Sequence, residues 1–246
     1  MVAEWSTDRS SPRRGYDPDD EHLFSGAALI RLQEAQTDLL WLLDRGYAKT
    51  GALDLVSRHY QLTARQSMAL QRCSDAASRC LDRRAKQQDL ALLPGADLAI
   101  DGLNLIILLE VALSKSPVFL GRDGVLRDLA GLRGTYHLIP QTARAIDLVL
   151  AALDHGSVAK AHIFLDAPVS NSGRLKTRIL EQAGSFMTPV EVELVRNADV
   201  SLEGCTHVVS GDAVVLDRCT SWFNLARFIL ETHVPEAWIV RLDGSA

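Results

Sequence analysis

The stretch Leu98-Ala-Ile-Asp-Gly-Leu-Asn-Leu-Ile106 decides the fold. It opens on an apolar run too short for a helix and ends that run on an aspartate. A longer apolar segment, 103–113, follows at once and reads as a largely buried helix. The alternation repeats downstream. Residues 161–165, 190–195, 207–209 and 238–240 are strand candidates. Helices are expected over 125–132, over 142–153 with Pro140 just ahead, over 175–183 with Gly184 as the stop, and over 222–231. Repeated strand–helix–strand units predict a three-layer α/β/α domain with a mainly parallel sheet over residues 95–246.

Upstream of Pro94-Gly95 the pattern changes to helical period, so a domain boundary is placed there. Leu29, Leu32, Ala35, Leu39 and Leu42 recur at spacings of three and four, which predicts a helix over 25–45 ending at Gly46. A second helix is expected over 52–60. Thr63 and Gln66 form a capping-box pattern that opens a third, over 64–89. On that third helix Arg65, Arg72, Arg79 and Lys86 are each seven apart, close to two turns, and make one stripe. Segment 65–86 has six cations against Asp75 and Asp82, a net of +4, which leaves −9 on the remaining chain. A small all-α domain over 21–93 is thus expected, with helix-turn-helix order. Its basic stripe reads either as a nucleic-acid contact or as the solvated face of a bundle.

Composition bounds the rest. The 246 residues are 47% hydrophobic and 23% charged, which excludes a mainly disordered chain. The formal charge of −5 gives no global field that draws nucleic acid or membrane. Residues 1–20 are polar, lack the apolar centre of a signal peptide, and are expected to form a disordered tail. No apolar run is long enough to span a membrane. Cys73, Cys80, Cys205 and Cys219 show no zinc spacing. On one helix Cys73 and Cys80 would stand about 10 Å apart, too far for a disulfide. The cysteines are therefore assigned to packing, and the cytoplasm is the expected compartment.

The acids carry the functional signal. Asp101 and Asp166 follow directly on apolar runs, Asp212 follows His207-Val-Val-Ser-Gly211, and Asp199 comes shortly after the run 190–195. In a parallel sheet all carboxyl strand ends lie on one rim, where ligands bind. Each aspartate alone has a plain explanation as a turn residue or helix cap. Together, several carboxylates on one rim repel one another, and a hard cation such as Mg²⁺ or Mn²⁺ relieves that repulsion. Phosphodiester cleavage is the chemistry such a site most often serves. P-loop, dinucleotide and nucleophile-elbow motifs are absent, as is the D-x-D of haloacid-dehalogenase-like phosphatases, because position 103 is Leu.

Four motifs resemble the NYN branch of the PIN-like nucleases, in family order. They are Ala99-Ile-Asp-Gly-Leu-Asn-Leu-Ile106, Phe164-Leu-Asp-Ala167, Ala198-Asp-Val-Ser-Leu-Glu203 and Val208-Val-Ser-Gly-Asp212, the last with S-G-D in place of the commoner S-D. The whole chain also resembles a prokaryotic family with a helical module ahead of a PIN-like half. The resemblance implies a metal-dependent ribonuclease in which Asp101 and Asp212 are primary metal ligands and Asp166 and Asp199 complete the site. It implies that Glu203 holds a second metal or orients water, and that Asn104 hydrogen-bonds Asp101 or the scissile phosphate. RNA is favoured over DNA by the resemblance alone, and pairing of two copies is an option it raises. Arg174 and Lys176, just after Ser170-Asn-Ser-Gly173, are candidates for holding substrate phosphate, with Asn171 or Ser172 as an ordinary helix cap the plainer reading. Arg122, Arg127 and Arg133 are candidates for the same rim or for plain solvation. The alternative is a non-catalytic nucleic-acid-binding or regulatory protein with a degenerate PIN-like domain.

Overall fold

The computed structural model describes residues 12–131 and 134–243. The helical module comprises α1 (Asp20–Leu23), α2 (Gly26–Leu43), α3 (Lys49–His59), α4 (Ala64–Cys73) and α5 (Ala77–Lys86). The remainder runs β1 (Asp97–Asp101), α6 (Gly102–Leu113), β2 (Val118–Leu120), β3 (Leu126–Arg127), α7 (Pro140–His155), β4 (Lys160–Asp166), α8 (Ser172–Ala183), β5 (Val190–Val195), α9 (Ala198–Leu202), β6 (Val208–Val209), α10 (Ala213–Arg218), α11 (Leu225–His233) and β7 (Ile239–Arg241). The fold is mixed α/β with a helical N-terminal region, as the sequence predicts.

The main sheet has the order β5-β4-β1-β6 and every pairing in it is parallel. Side chains alternate across it. Leu98, Ile100, Ile163 and Leu165 face a core shared with α6, α7, α8 and α11. Ala99, Phe164 and Val208 face a smaller core built with α9 and α10. These are the three expected layers. Helix α6 lies so close to β4 that a Cβ on Gly102 would stand 2.5 Å from Ile163 Cγ2. Only glycine lets the chain turn from strand into buried helix at that point.

Four expectations change. Of the helix expected over 125–132, the described residues 125–131 form none: Gly121-Arg-Asp-Gly124 closes a hairpin, with Gly121 N donating to Val125 O at 2.9 Å, and β3 pairs antiparallel with β2. Strand β7 does not extend the main sheet but pairs parallel with β2, giving a second sheet of order β3-β2-β7. The helix expected over 64–89 is two helices, because Ser74 is extended and the Asp44 carboxylate accepts from Ala77 N at 2.7 Å, a cap supplied from the end of α2. Residues 12–20 of the expected tail are held against the fold: Arg14 Nε donates to Glu110 of α6 at 2.8 Å, and Arg65 pairs with Asp20 at 2.5 Å. Residues 1–11 lie outside the described residues. The capping box at Thr63 and Gln66 is formed as expected.

The second sheet joins the two modules. Phe119, Val240, Leu129 and Leu242 belong to the core of the helical module, where Phe24 meets Phe119 edge-on at 4.8 Å. Val118 and Leu126 belong to the large α/β core. A buried ion network completes the junction. Arg83 of α5, 2% exposed, reaches Asp75 at 2.7 Å, Asp123 of the hairpin at 3.0 Å and Asp217 of α10 at 2.6 Å. Arg127 pairs with Asp123 from the other side at 2.7 Å. Burial alone would raise the Asp123 carboxyl, but Arg127 and then Arg83 outweigh it and hold the carboxyl below its usual range. Asp217 is lowered in the same way, burial opposing and Arg83 prevailing.

Arg83→Ala leaves buried carboxylates short of a counterion and is expected to cost about 3 kcal/mol or more at neutral pH, read by urea unfolding. Carboxyls lowered in the folded state stabilise above their unfolded pKa and lose that contribution as pH falls through the folded value. The gap between wild type and variant should therefore narrow below about pH 4. A cost under about 1 kcal/mol, or a gap that widens in acid, contradicts this account.

Candidate functional site

The carboxyl strand ends of the main sheet meet at a topological switch point. From β1 the chain winds outward to β4 and β5, then returns to add β6 on the other side of β1. Crevices of this kind, between strands whose connections leave in opposite directions, are where open parallel sheets bind ligands. Asp101 ends β1, and Asp212 lies just past β6 and caps α10. Asp166 ends β4, and Asp199 sits in the first turn of α9.

Asp101 is 4% exposed. Its Oδ1 accepts from Asn104 N at 3.2 Å, capping α6, and its Oδ2 accepts from Ser210 Oγ at 2.9 Å. The same Ser210 hydroxyl accepts from Asp212 N at 3.0 Å, so one serine fixes both aspartate segments. Burial pushes the Asp101 carboxyl up to about 7 against the pull of these hydrogen bonds, and the charges of Asp199 and Asp166 add to the rise. Asp199 is raised as well, first by burial and then by Asp212 and Asp166, with Arg218 opposing. Four carboxylates far apart in sequence thus share one electrostatic environment.

The geometry also departs from the expectation. Among the described residues no group of three or more His, Cys, Asp or Glu side chains is arranged to hold a metal ion. The aspartates are held instead by the backbone: Asp166 Oδ1 accepts from Ala198 N at 2.9 Å, and Asp212 Oδ1 from Val214 N at 2.6 Å. Glu203 lies 3.5 Å from Arg218 Nη1, both side chains half exposed, and stands outside the coupled set. The Asn104 side chain does not bond Asp101; its Oδ1 accepts from Gly211 N at 2.7 Å. Arg127 Nε donates to Gly211 O at 2.9 Å, so Gly211 is held from both sides. It ties the loop after β6 to α6 and to the hairpin, and a Cβ there would stand 3.0 Å from Asn104 Oδ1.

The basic candidates separate. Arg65 is committed to Asp20, Arg79 to Asp217, and Lys86 to the carbonyls of Leu216 and Asp217. The stripe is broken by the split between α4 and α5, and of its four cations Arg72 alone makes no side-chain hydrogen bond or ion pair among the described residues. Arg122 pairs with Asp44 at the module junction, while Arg127 pairs with Asp123 and also reaches the rim loop through Gly211 O; Arg133 lies outside the described residues. Arg174 is exposed and Lys176 half-buried on the first turns of α8. Asn171 does not cap α8; it adopts φ 64° and donates to Tyr136 O at 2.6 Å. The cysteines are free, three buried and Cys205 half-buried, and burial pushes the Cys73 thiol up to about 12. Ser210 carries no signal of its own in the sequence beyond its place two residues before Asp212.

A family model described as a domain of unknown function (DUF5616) matches residues 90–228. The chain belongs to this family. The DUF5616 match contains β1 through the start of α11 and all four aspartates. A second model, a protein of unknown function (DUF434), matches residues 31–86, which lie within the helical module from mid-α2 to the end of α5. The chain is 32% identical over 187 residues to the uncharacterized protein MJ0935 of Methanocaldococcus jannaschii, covering 76% of this chain and 89% of that protein. No solved structure matches the chain. Among the described residues no helix is long and apolar enough to cross a membrane.

A carboxyl raised in the folded state keeps its proton where the unfolded chain has lost it, so stability falls as pH rises from about 4 toward 7. Asp101→Asn removes that penalty. It is expected to raise the melting temperature at pH 8, to raise it less at pH 5, and to leave it nearly unchanged below about pH 4, by calorimetry. A difference independent of pH contradicts the assignment of the buried charge to Asp101.

Proposed function

We propose that this DUF5616 chain is a divalent-cation-dependent phosphodiester hydrolase acting on RNA, with Asp101 and Asp212 as the residues that hold the cation. The observation that carries the reading is the buried Asp101 carboxyl, raised by burial and by Asp199 and Asp166, at the switch point of a parallel sheet. The donor set is carboxylate oxygen, which suits Mg²⁺ or Mn²⁺. Mg²⁺ keeps several waters and takes one or two carboxylates from a protein, so a site without a closed three-residue cage is compatible with it. When bound, such an ion neutralises charge on the cleaved phosphate and activates water.

The chain's own residues have separable tasks. Ser210 keeps Asp101 Oδ2 directed at the rim and holds the backbone of Asp212. Asn104 fixes the loop through Gly211. Asp166 and Asp199 supply the negative field that draws the cation, and Arg174 and Lys176 are assigned to the RNA backbone. The choice of RNA over DNA rests on the PIN-like resemblance. The same resemblance raises a homodimer; a soluble, cytoplasmic setting with no membrane partner follows the composition. The competing reading, a non-catalytic nucleic-acid-binding or regulatory protein, is favoured by one observation, the lack of a preformed three-ligand group among the described residues.

Incubation of labelled single-stranded RNA with Mn²⁺ decides between them. Cleavage is expected from the wild type, abolished by chelator, and lowered about 100-fold or more in Asp101→Asn and Asp212→Asn; Ser210→Ala, which acts through Asp101, should lose about 10–100-fold. Equal cleavage by all preparations indicates a contaminant and removes the proposal, as does no cleavage by any.

A further inference from the structure

A cavity of about 550 Å³ lies where the helical module meets the acidic rim, within the size range of small-molecule sites. One wall is the helical module, with Lys49 at the start of α3 and Arg72 near the end of α4. The other is the α/β domain, with Asn104, Asp128 and Asp212. Arg83 and Arg127 also line it, but both are neutralised by the carboxylates of the buried network. Lys49 and Arg72 are not: among the described residues neither side chain makes a hydrogen bond or ion pair. Both come from the helical module, Lys49 from α3 and Arg72 from α4, and both line the cavity beside Cys73. Burial pushes the Lys49 ammonium down from its usual range, with Arg127 and Arg83 adding to the effect against Asp75. Asp75 lines the same wall and is the opposing charge, but it is committed to Arg83, and among the described residues no carboxylate is in ion-pair contact with the Lys49 ammonium.

The opposite wall has the complementary need. Asp128 is 6% exposed, and its Oδ1 accepts from Ala130 N at 2.7 Å. Asp212 has its Oδ1 on the α10 backbone. Carboxylate oxygens accept hydrogen bonds and repel phosphate, whereas they suit ribose hydroxyls. A ligand with an anionic end and a hydroxyl-bearing body matches both walls at once.

We propose that this cavity binds a nucleoside monophosphate unit, its phosphate on Lys49 and Arg72 and its ribose hydroxyls toward Asp128 and Asp212. The unit is either a free nucleotide or the phosphorylated end of an RNA strand. The inference goes beyond hydrolysis and needs neither a metal nor turnover, and its key residues belong to the DUF434-matching module rather than to the sheet.

Calorimetric titration of the full chain with the four ribonucleoside 5′-monophosphates tests it, with nucleosides and inorganic phosphate as comparators. At least one monophosphate is expected to bind, and its nucleoside and inorganic phosphate each about tenfold more weakly or worse. Lys49→Gln and Arg72→Gln should each weaken binding about tenfold, the scale of one charge-assisted contact, with unchanged circular dichroism because neither side chain holds the fold. The titrations are run in the presence of chelator, and binding is expected to persist there although hydrolysis stops, which separates failure here from failure of the hydrolase reading. A 5′-phosphorylated tetraribonucleotide binding more tightly than the monophosphate assigns the site to a strand end, and weaker binding assigns it to the free nucleotide. No binding at millimolar concentration, a nucleoside or inorganic phosphate as tight as the monophosphate, or affinity indifferent to both variants overturns the proposal.

Discussion

The carboxyl of Asp101 is the group on which the domain's organisation turns. It must leave water to end a buried strand, it must cap the helix that follows, and it does so beside two other carboxylates. Hydrogen bonds from Ser210 and the Asn104 backbone offset part of that cost but not all of it. A protein that needed only a helix cap could use an exposed serine or threonine. Burying an acid among acids makes sense where a charge of opposite sign arrives from outside, and this is the physical basis of the functional reading.

The second constraint is the junction between modules. The small sheet β3-β2-β7 is buried on both faces, one in each core, so the helical module is packed into the α/β domain rather than hung from a linker. The Arg83 network fixes α5 to the hairpin and to α10, and α10 is the helix that Asp212 caps. Packing at the junction thereby sets where the rim stands, and it leaves between the modules a space that neither would enclose alone. That two family models divide the chain while one core bridges them fits two units that fold against each other.

Legibility in the sequence followed the length and cleanliness of the pattern. Strands β1, β4 and β5 and helices α2, α6, α7 and α8 were readable because apolar period or Gly and Pro punctuation marked them. The aspartates were readable because they interrupt apolar runs at strand ends. What failed was non-local. Strands β2 and β3 are three and two residues long, and their pairing depends on a Gly121–Gly124 turn that resembles any loop. The break after Cys73 depends on Asp44, a cap from another helix that no local window contains. The basic stripe looked continuous because sequence spacing does not show the acids that meet it; Asp20 and Asp217 lie 45 and 138 residues from their arginines. Asn104 stands out in the sequence motif, but its side-chain partner is a backbone amide over a hundred residues away, which no local window contains.

The central claim is that the rim exists to take up a cation, and proton-linked cation binding tests it most directly. Titration of Mg²⁺ or Mn²⁺ into the protein near pH 7, repeated in buffers of different ionisation enthalpy, reports both uptake and protons released. Because Asp101 is partly protonated there, the account predicts binding with net proton release, and loss of that release in Asp101→Asn. Absence of uptake by folded protein, or uptake with the same proton count in the variant, contradicts it.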